Sequence, residues 1–108
     1  MLRLASPASK AQMATLHIEH SISDLQTWLG AFNRFEEARE QAGVRAHRVH
    51  QPVDDDKYIY VALDFDSVEQ AAAFKRFLEE AVWASAEASP GLAGTPKARI
   101  LAEVTAAP

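Results

Sequence analysis

Twice along this chain an alternation of apolar and polar residues passes into a run with apolar residues every three or four positions, and then alternation returns. That order constrains the fold more than any other feature. A period of two marks a strand with one buried face, and a period near 3.6 marks a helix with one buried stripe. In residues 14–22, ATLHIEHSI, Leu16 and Ile18 point one way and Thr15, His17 and Glu19 the other. Ser23 followed by Gln26 has the capping-box pattern, and Asp24 adds negative charge to the first turn. Leu25, Trp28, Leu29, Phe32 and Phe35 then follow at helical spacing, with Arg34, Glu36, Glu37 and Glu40 on the wet side. The spacing predicts a helix over 24–42, closed by Gly43 as its C′ residue.

The second half repeats the topology without repeating the sequence. Residues 44–52 alternate imperfectly and end at Pro52, which suits an edge or a strand end because proline donates nothing to a ladder. The acidic turn PVDDDK joins them to YIYVALDF, 58–65, the clearest strand, with Ile59, Val61, Leu63 and Phe65 on one face. Asp66 with Glu69, or Ser67 with Gln70, caps a second helix over 67–85. Its buried stripe is Val68, Ala71, Phe74, Phe77, Leu78, Ala81 and Val82. SPGLAGTPK, 89–97, reads as a breaker-rich loop, and ARILAEV, 98–104, as the last strand.

The order strand–helix–strand–strand–helix–strand gives an α+β, ferredoxin-like βαββαβ fold. Right-handed crossovers place both helices on one face of a four-stranded antiparallel sheet. The expected centre is 58–65 beside 14–22, with 44–52 and 98–104 outside. The length of 108 residues suits one domain, 14–104, between a flexible N-terminal tail, 1–13, and a C-terminal tail, 105–108. Met13 offers a second translation start.

Composition removes several function classes. The formal charge is −4 and the basic residues are scattered. Nucleic acid and anionic membranes need clustered positive charge, so neither is expected as a partner. The early apolar stretch is too short for a signal peptide or a membrane span. There are no cysteines, so no disulfide, thiolate nucleophile or Cys-based metal site is available, which fits a cytoplasmic protein. No Gly-rich phosphate loop, Walker pattern or nucleophile elbow is present, and no cofactor is implied.

The face of the sheet turned away from the helices collects the polar residues. It carries Thr15, His17, Glu19, Tyr58, Tyr60, Ala62 and Asp64, with Arg99, Leu101 and Glu103, and with Ala46, Arg48 and His50. No third layer remains in the chain to cover it, so a second copy of the chain is the expected cover. His17 and Glu19, two apart on one strand, can act as general base and orienting carboxylate, or they can satisfy one another. Tyr58 and Tyr60 can line a pocket or fill an interface. Arg48 and Arg99 can hold an anionic ligand or pair with Glu19, Asp64 or Glu103. His17, Glu19 and His50 have the composition of a two-His, one-carboxylate metal site, but the third strand should separate them, and no metal is expected. His20 has the helix-facing parity and reads as a hydrogen-bonded structural residue. His47 falls opposite His50. Trp28 reads as core, and Trp83, beside the Pro/Gly-rich loop, can cover a pocket mouth. The DDD turn reads as solvated.

The run HIEHSISDLQTWLGAF…GVRAHRVHQPVDDDKYIYVALDFDSVEQAAAF resembles the small dimeric α/β-barrel proteins, among them the antibiotic-biosynthesis-monooxygenase-like proteins and members of unassigned activity. The resemblance covers about residues 14–104. It implies two ferredoxin-like subunits packed sheet to sheet. Haem-degrading members use a histidine on the second helix, and residues 67–85 contain none. Cofactor-independent oxygenases of the group place Asn, Trp, Tyr, His and Arg around an aromatic substrate. Here Tyr, His and Arg lie on the open face, and the single asparagine, Asn33, lies on a helix.

Two expectations follow. In the first, a homodimer binds a small aromatic or enolic ligand in the sheet-lined cleft, for cofactor-independent oxygenation, isomerisation or cyclisation. His17 and Glu19 are then catalytic, and Arg48, His50, Tyr58, Tyr60, Asp64 and Arg99 bind the ligand. In the second, the same residues only complete the interface of a non-catalytic dimeric module.

Overall fold

The computed structural model describes residues 13–104; of the tails expected at 1–13 and 105–108, all but Met13 lie outside the described residues. The chain runs β1 (Ala14–Ile22), α1 (Leu25–Arg34), α2 (Glu36–Ala42), β2 (Ala46–His50), β3 (Tyr58–Phe65), α3 (Val68–Phe77), a π-helical turn (Leu78–Val82) and β4 (Leu92–Ala102). One antiparallel sheet has the order β2-β3-β1-β4. The expected α+β, ferredoxin-like architecture is the observed one, with the two most regular alternations at its centre.

Parity along the strands decides which residues meet the helices. On β1, Ala14, Leu16, Ile18, His20 and Ile22 are buried, while Thr15, His17 and Glu19 are half-exposed. On β3, Ile59, Val61, Leu63 and Phe65 are buried and the alternate residues half-exposed. The buried set packs with Trp28, Ala71 and Phe74 into one core. Fully burying each large apolar side chain contributes about 1.5–3 kcal/mol, so this single layer supplies most of the driving force.

Four details differ from the sequence expectations. The first helix is broken. Phe35 has φ −96° and ψ 15°, and its N–H bonds to the Phe32 and Asn33 carbonyls. The N-cap of α1 is Asp24 rather than Ser23: the Asp24 carboxylate accepts from the Thr27 N–H (2.9 Å) and the Thr27 hydroxyl (2.9 Å). A carboxylate satisfies the orphan N–H and favours the helix dipole at once. The second helix ends in the π turn, where the Trp83 N–H reaches the Leu78 carbonyl at 2.7 Å. The wider turn rotates the following side chains, so Ala81 is exposed while Val82 is buried, and Phe77 is 36% exposed.

The fourth difference is in β4. The strand begins at Leu92, inside the segment expected to be a loop, and Glu103 lies past its end. Lys97, Arg99 and Leu101 oppose Glu19, His17 and Thr15; then the register shifts, and Ala93 and Leu92 oppose Ser21 and Ile22. Residues 94–96 are a bulge opposite His20. Gly94 and Pro96 are tolerated there because β4 is an edge strand. Ser67 caps α3, accepting from the Gln70 N–H, while Gln70 Oε1 accepts from the Asp66 N–H. Gly43 closes α2 with φ +98°.

Candidate functional site

The open face brings together most of the residues singled out from the sequence. Glu19 is the hub. One carboxylate oxygen faces His17 Nε2 at 3.1 Å and the other accepts from the Tyr58 hydroxyl at 2.8 Å. Tyr58 reaches it diagonally, because Ser21 opposes Tyr58 and Tyr60 opposes Glu19. The hydrogen bonds from Tyr58 and His17 hold the Glu19 carboxyl below its usual range, and the same bond raises the Tyr58 phenol. Tyr60 sits between the two, with ring centroids 5.3 Å from Tyr58 and 6.0 Å from His17.

A second group lies one step along the sheet. Arg48 forks onto Asp64, Nη1 to Oδ2 at 2.8 Å and Nη2 to Oδ1 at 3.0 Å, and the Thr15 hydroxyl donates to Asp64 at 2.7 Å. The guanidinium, with help from Thr15, lowers the Asp64 carboxyl. Arg99 opposes His17 across β1–β4, and His50 opposes Tyr60 across β2–β3. β3 lies between β2 and β1, so His50 and the His17–Glu19 pair are two strands apart. Among the described residues no group of three or more His, Asp or Glu side chains is placed to share a metal ion. Thr15, His17, Arg48, Asp64 and Leu101 line an open depression of about 490 Å3 on this face.

A half-open apolar cavity lies on the other side of the sheet. It is walled by Ile18, Val61 and Leu63 below and by Trp28, Phe32, Leu78 and Trp83 above, and its interior is about 80 Å3. Two ionisable groups enter this apolar lining, His20 from β1 and Arg39 from α2. Both are buried, at 4% and 6% exposed. Burial lowers the His20 imidazole despite a bond to the Ser21 carbonyl, which favours the neutral ring. His20 Nδ1 lies 2.8 Å from that carbonyl. A carbonyl only accepts, so Nδ1 carries the proton and Nε2 keeps a lone pair. Arg39 Nη1 donates to the Phe32 carbonyl, and its guanidinium lies 3.7 Å over the Phe32 ring. Phe32 in turn stacks on Trp28, with centroids 5.0 Å apart and planes at 21°. Trp83, Ser89 and Pro90 complete the wall, as Trp83 at a pocket mouth would require.

His20 and Arg39 were readable in part. His20 is the one polar residue in the buried series Leu16, Ile18, His20, Ile22. Arg39 continues the stripe Leu25, Trp28, Phe32, Phe35 at the next four-residue step. An ionisable residue on an apolar series was the signal in both cases.

No protein-family model matches the chain, and no curated protein matches it by sequence. Solved structures do. SnoaB, a cofactor-independent oxygenase from Streptomyces nogalater, superposes with a TM-score of 0.66 over 90% of this chain and 98% of its own, at 15% identity. A monooxygenase of Streptomyces coelicolor solved with nanaomycin D gives 0.57 over 89% and 91%, at 17% identity. A dimeric ferredoxin-like protein from an uncultured marine organism gives 0.61 over 94% and 96%, at 8% identity. Among the described residues no helix is long and apolar enough to cross a membrane. The chain therefore has the ferredoxin-like fold shared by antibiotic-biosynthesis-monooxygenase-like proteins and dimeric ferredoxin-like proteins.

Proposed function

We propose that this protein binds a small aromatic or enolic molecule in the cavity between sheet and helices, and that two copies associate through the open sheet face. One observation carries the reading: an apolar cavity, walled by two tryptophans and three phenylalanines, holds two buried ionisable groups. A concave apolar site with few convergent polar groups and perturbed titration is the expected form of a small-molecule site. The chemistry follows from His20. A neutral imidazole whose Nδ1 proton is engaged offers Nε2 as a base toward an acidic phenol or enol. The resulting oxyanion can give electrons directly to dioxygen without a bound cofactor, one oxygen atom entering the product as a carbonyl and the other leaving as water, which is the monooxygenase-like reading. The fold neighbours SnoaB and the nanaomycin D-bound monooxygenase support that reaction class.

A second reading keeps the ligand on the open face, with His17 as base, Glu19 as its orienter and Arg48, His50, Tyr58, Tyr60, Asp64 and Arg99 around it. The hydrogen-bonded chain His17–Glu19–Tyr58 favours it. In a dimer joined through this face those groups would meet the second subunit.

Native mass spectrometry of freshly purified protein tests both. The expected result is twice the chain mass with a retained small molecule, which is absent from Ala31→Phe, a variant that fills the cavity from α1. Retention by Ala31→Phe together with loss in His17→Ala would move the ligand to the sheet face.

A further inference from the structure

Arg39 is the group in the cavity whose chemistry the protein leaves incomplete. It is 6% exposed and carries five N–H donors. Among the described residues its side chain makes one hydrogen bond, to the Phe32 carbonyl, and no carboxylate lies within ion-pair distance. Glu36 and Glu40, on the same helix, are exposed and act on it only through space. A guanidinium stays protonated, so it brings a full positive charge into an apolar lining. A buried charge without a partner is costly, and the cost is relieved when a counter-charge arrives. The flat face of the guanidinium rests on Phe32, and Phe32 rests on Trp28. With that face occupied, the free donors lie along the guanidinium edge. A planar oxyanion meets such an edge with two parallel hydrogen bonds.

We propose that Arg39 is the recognition group for an anionic ligand: a planar aromatic or enolic acid whose carboxylate or enolate takes its unused N–H donors. The proposal rests on the cavity reading above and adds the sign of the ligand's charge. The ring lies within the wall of Trp28, Phe32 and Trp83. The interior of about 80 Å3 is smaller than the roughly 150 Å3 dry cavity that takes benzene. A single ring is therefore the size class, seated partly in the opening.

Benzoate and its neutral isostere benzamide are the probes, titrated into 15N-labelled protein. The chain has two tryptophans, and both line the cavity, so their indole N–H signals report its occupancy. Benzoate is expected to bind roughly ten- to a hundredfold tighter than benzamide, the range of a hydrogen-bonded charge. In Arg39→Met that preference disappears, benzoate falling to the affinity of benzamide; Arg39→Lys, a point charge without the fork, keeps part of it. The melting temperature of unliganded Arg39→Met should be no lower than that of the parent, because an unpaired buried charge has been removed. If benzamide shifts the indole signals and benzoate binds no tighter, the inference fails and the cavity reading stands. A lowered melting temperature with discrimination unchanged would make Arg39 only a cap on the Phe32 carbonyl, and would also overturn it. If neither probe moves either indole, the cavity reading fails and takes this inference with it.

Discussion

Gly91→Ala should be among the most damaging single-methyl additions in the molecule. Gly91 precedes β4 with φ +87°, and its carbonyl accepts from the Ser23 N–H at 2.9 Å. A Cβ built there would lie 2.9 Å from both the nitrogen and the Cα of Trp28, and 3.1 Å from the Trp28 Cβ. The nitrogen and Cα belong to the backbone of α1, which cannot give without lifting the helix from the sheet. The left-handed conformation costs a non-glycine residue about 1–2 kcal/mol. Overpacking against an unyielding wall adds about 1–3 kcal/mol. A loss near 3 kcal/mol corresponds to a fall of roughly 12–24 °C in melting temperature for a domain of this size. Gly30→Ala is the matched control. Gly30 lies inside α1 with no heavy atom within 4 Å of its would-be Cβ, so the same substitution should stabilise by up to about 1 kcal/mol. Thermal unfolding followed by circular dichroism measures both. A Gly91→Ala protein melting within about 2 °C of the parent would refute the packing of the 83–91 segment on α1, and with it one wall of the cavity.

Three further outcomes are expected. Burial lowers the His20 imidazole, so the unfolded chain binds its proton first as pH falls; stability should drop below about pH 6.5. His20→Gln should flatten that part of the urea-unfolding pH profile, and an unchanged slope would show that another group titrates there. Ala62→Arg places a long cation on the open face between His17 and Arg48. Native mass spectrometry should find it monomeric with an unaltered far-ultraviolet spectrum, and a persistent dimer would put the interface elsewhere. Asp24→Ala should cost about 1 kcal/mol through loss of the α1 cap, whereas Ser23→Ala should be close to neutral; urea midpoints reversed in order would contradict the capping geometry.

The sequence carried the sheet because its signal is local. Alternation in ATLHIEHSI and YIYVALDF assigned each residue to a face, and the strand order followed from connection rules. The gathering of His17, Glu19, Tyr58 and Tyr60 on one face was legible for the same reason. The cavity was less so. It depends on the break at Phe35, where no glycine or proline marks the helix end, and on the π turn after Phe77, which a uniform 3.6 period cannot express. Arg39 was hidden in a charged stretch, EEAREQ, although its position continued an apolar stripe. The early start of β4 was masked by Gly94 and Pro96, whose breaker chemistry was real but was absorbed as a bulge on an edge strand.

That bulge also decides where the chain can change in length. A one-residue slip anywhere in 97–102 would exchange Arg99 and Leu101 with Ala98 and Ile100, turning charge toward the core and aliphatic surface outward. Residues 94–96 already sit outside the paired register, so an insertion or deletion there leaves the ladders on either side in step. The loop facing His20 is thus the place where relatives of this protein can vary in length without losing the alignment of either sheet face.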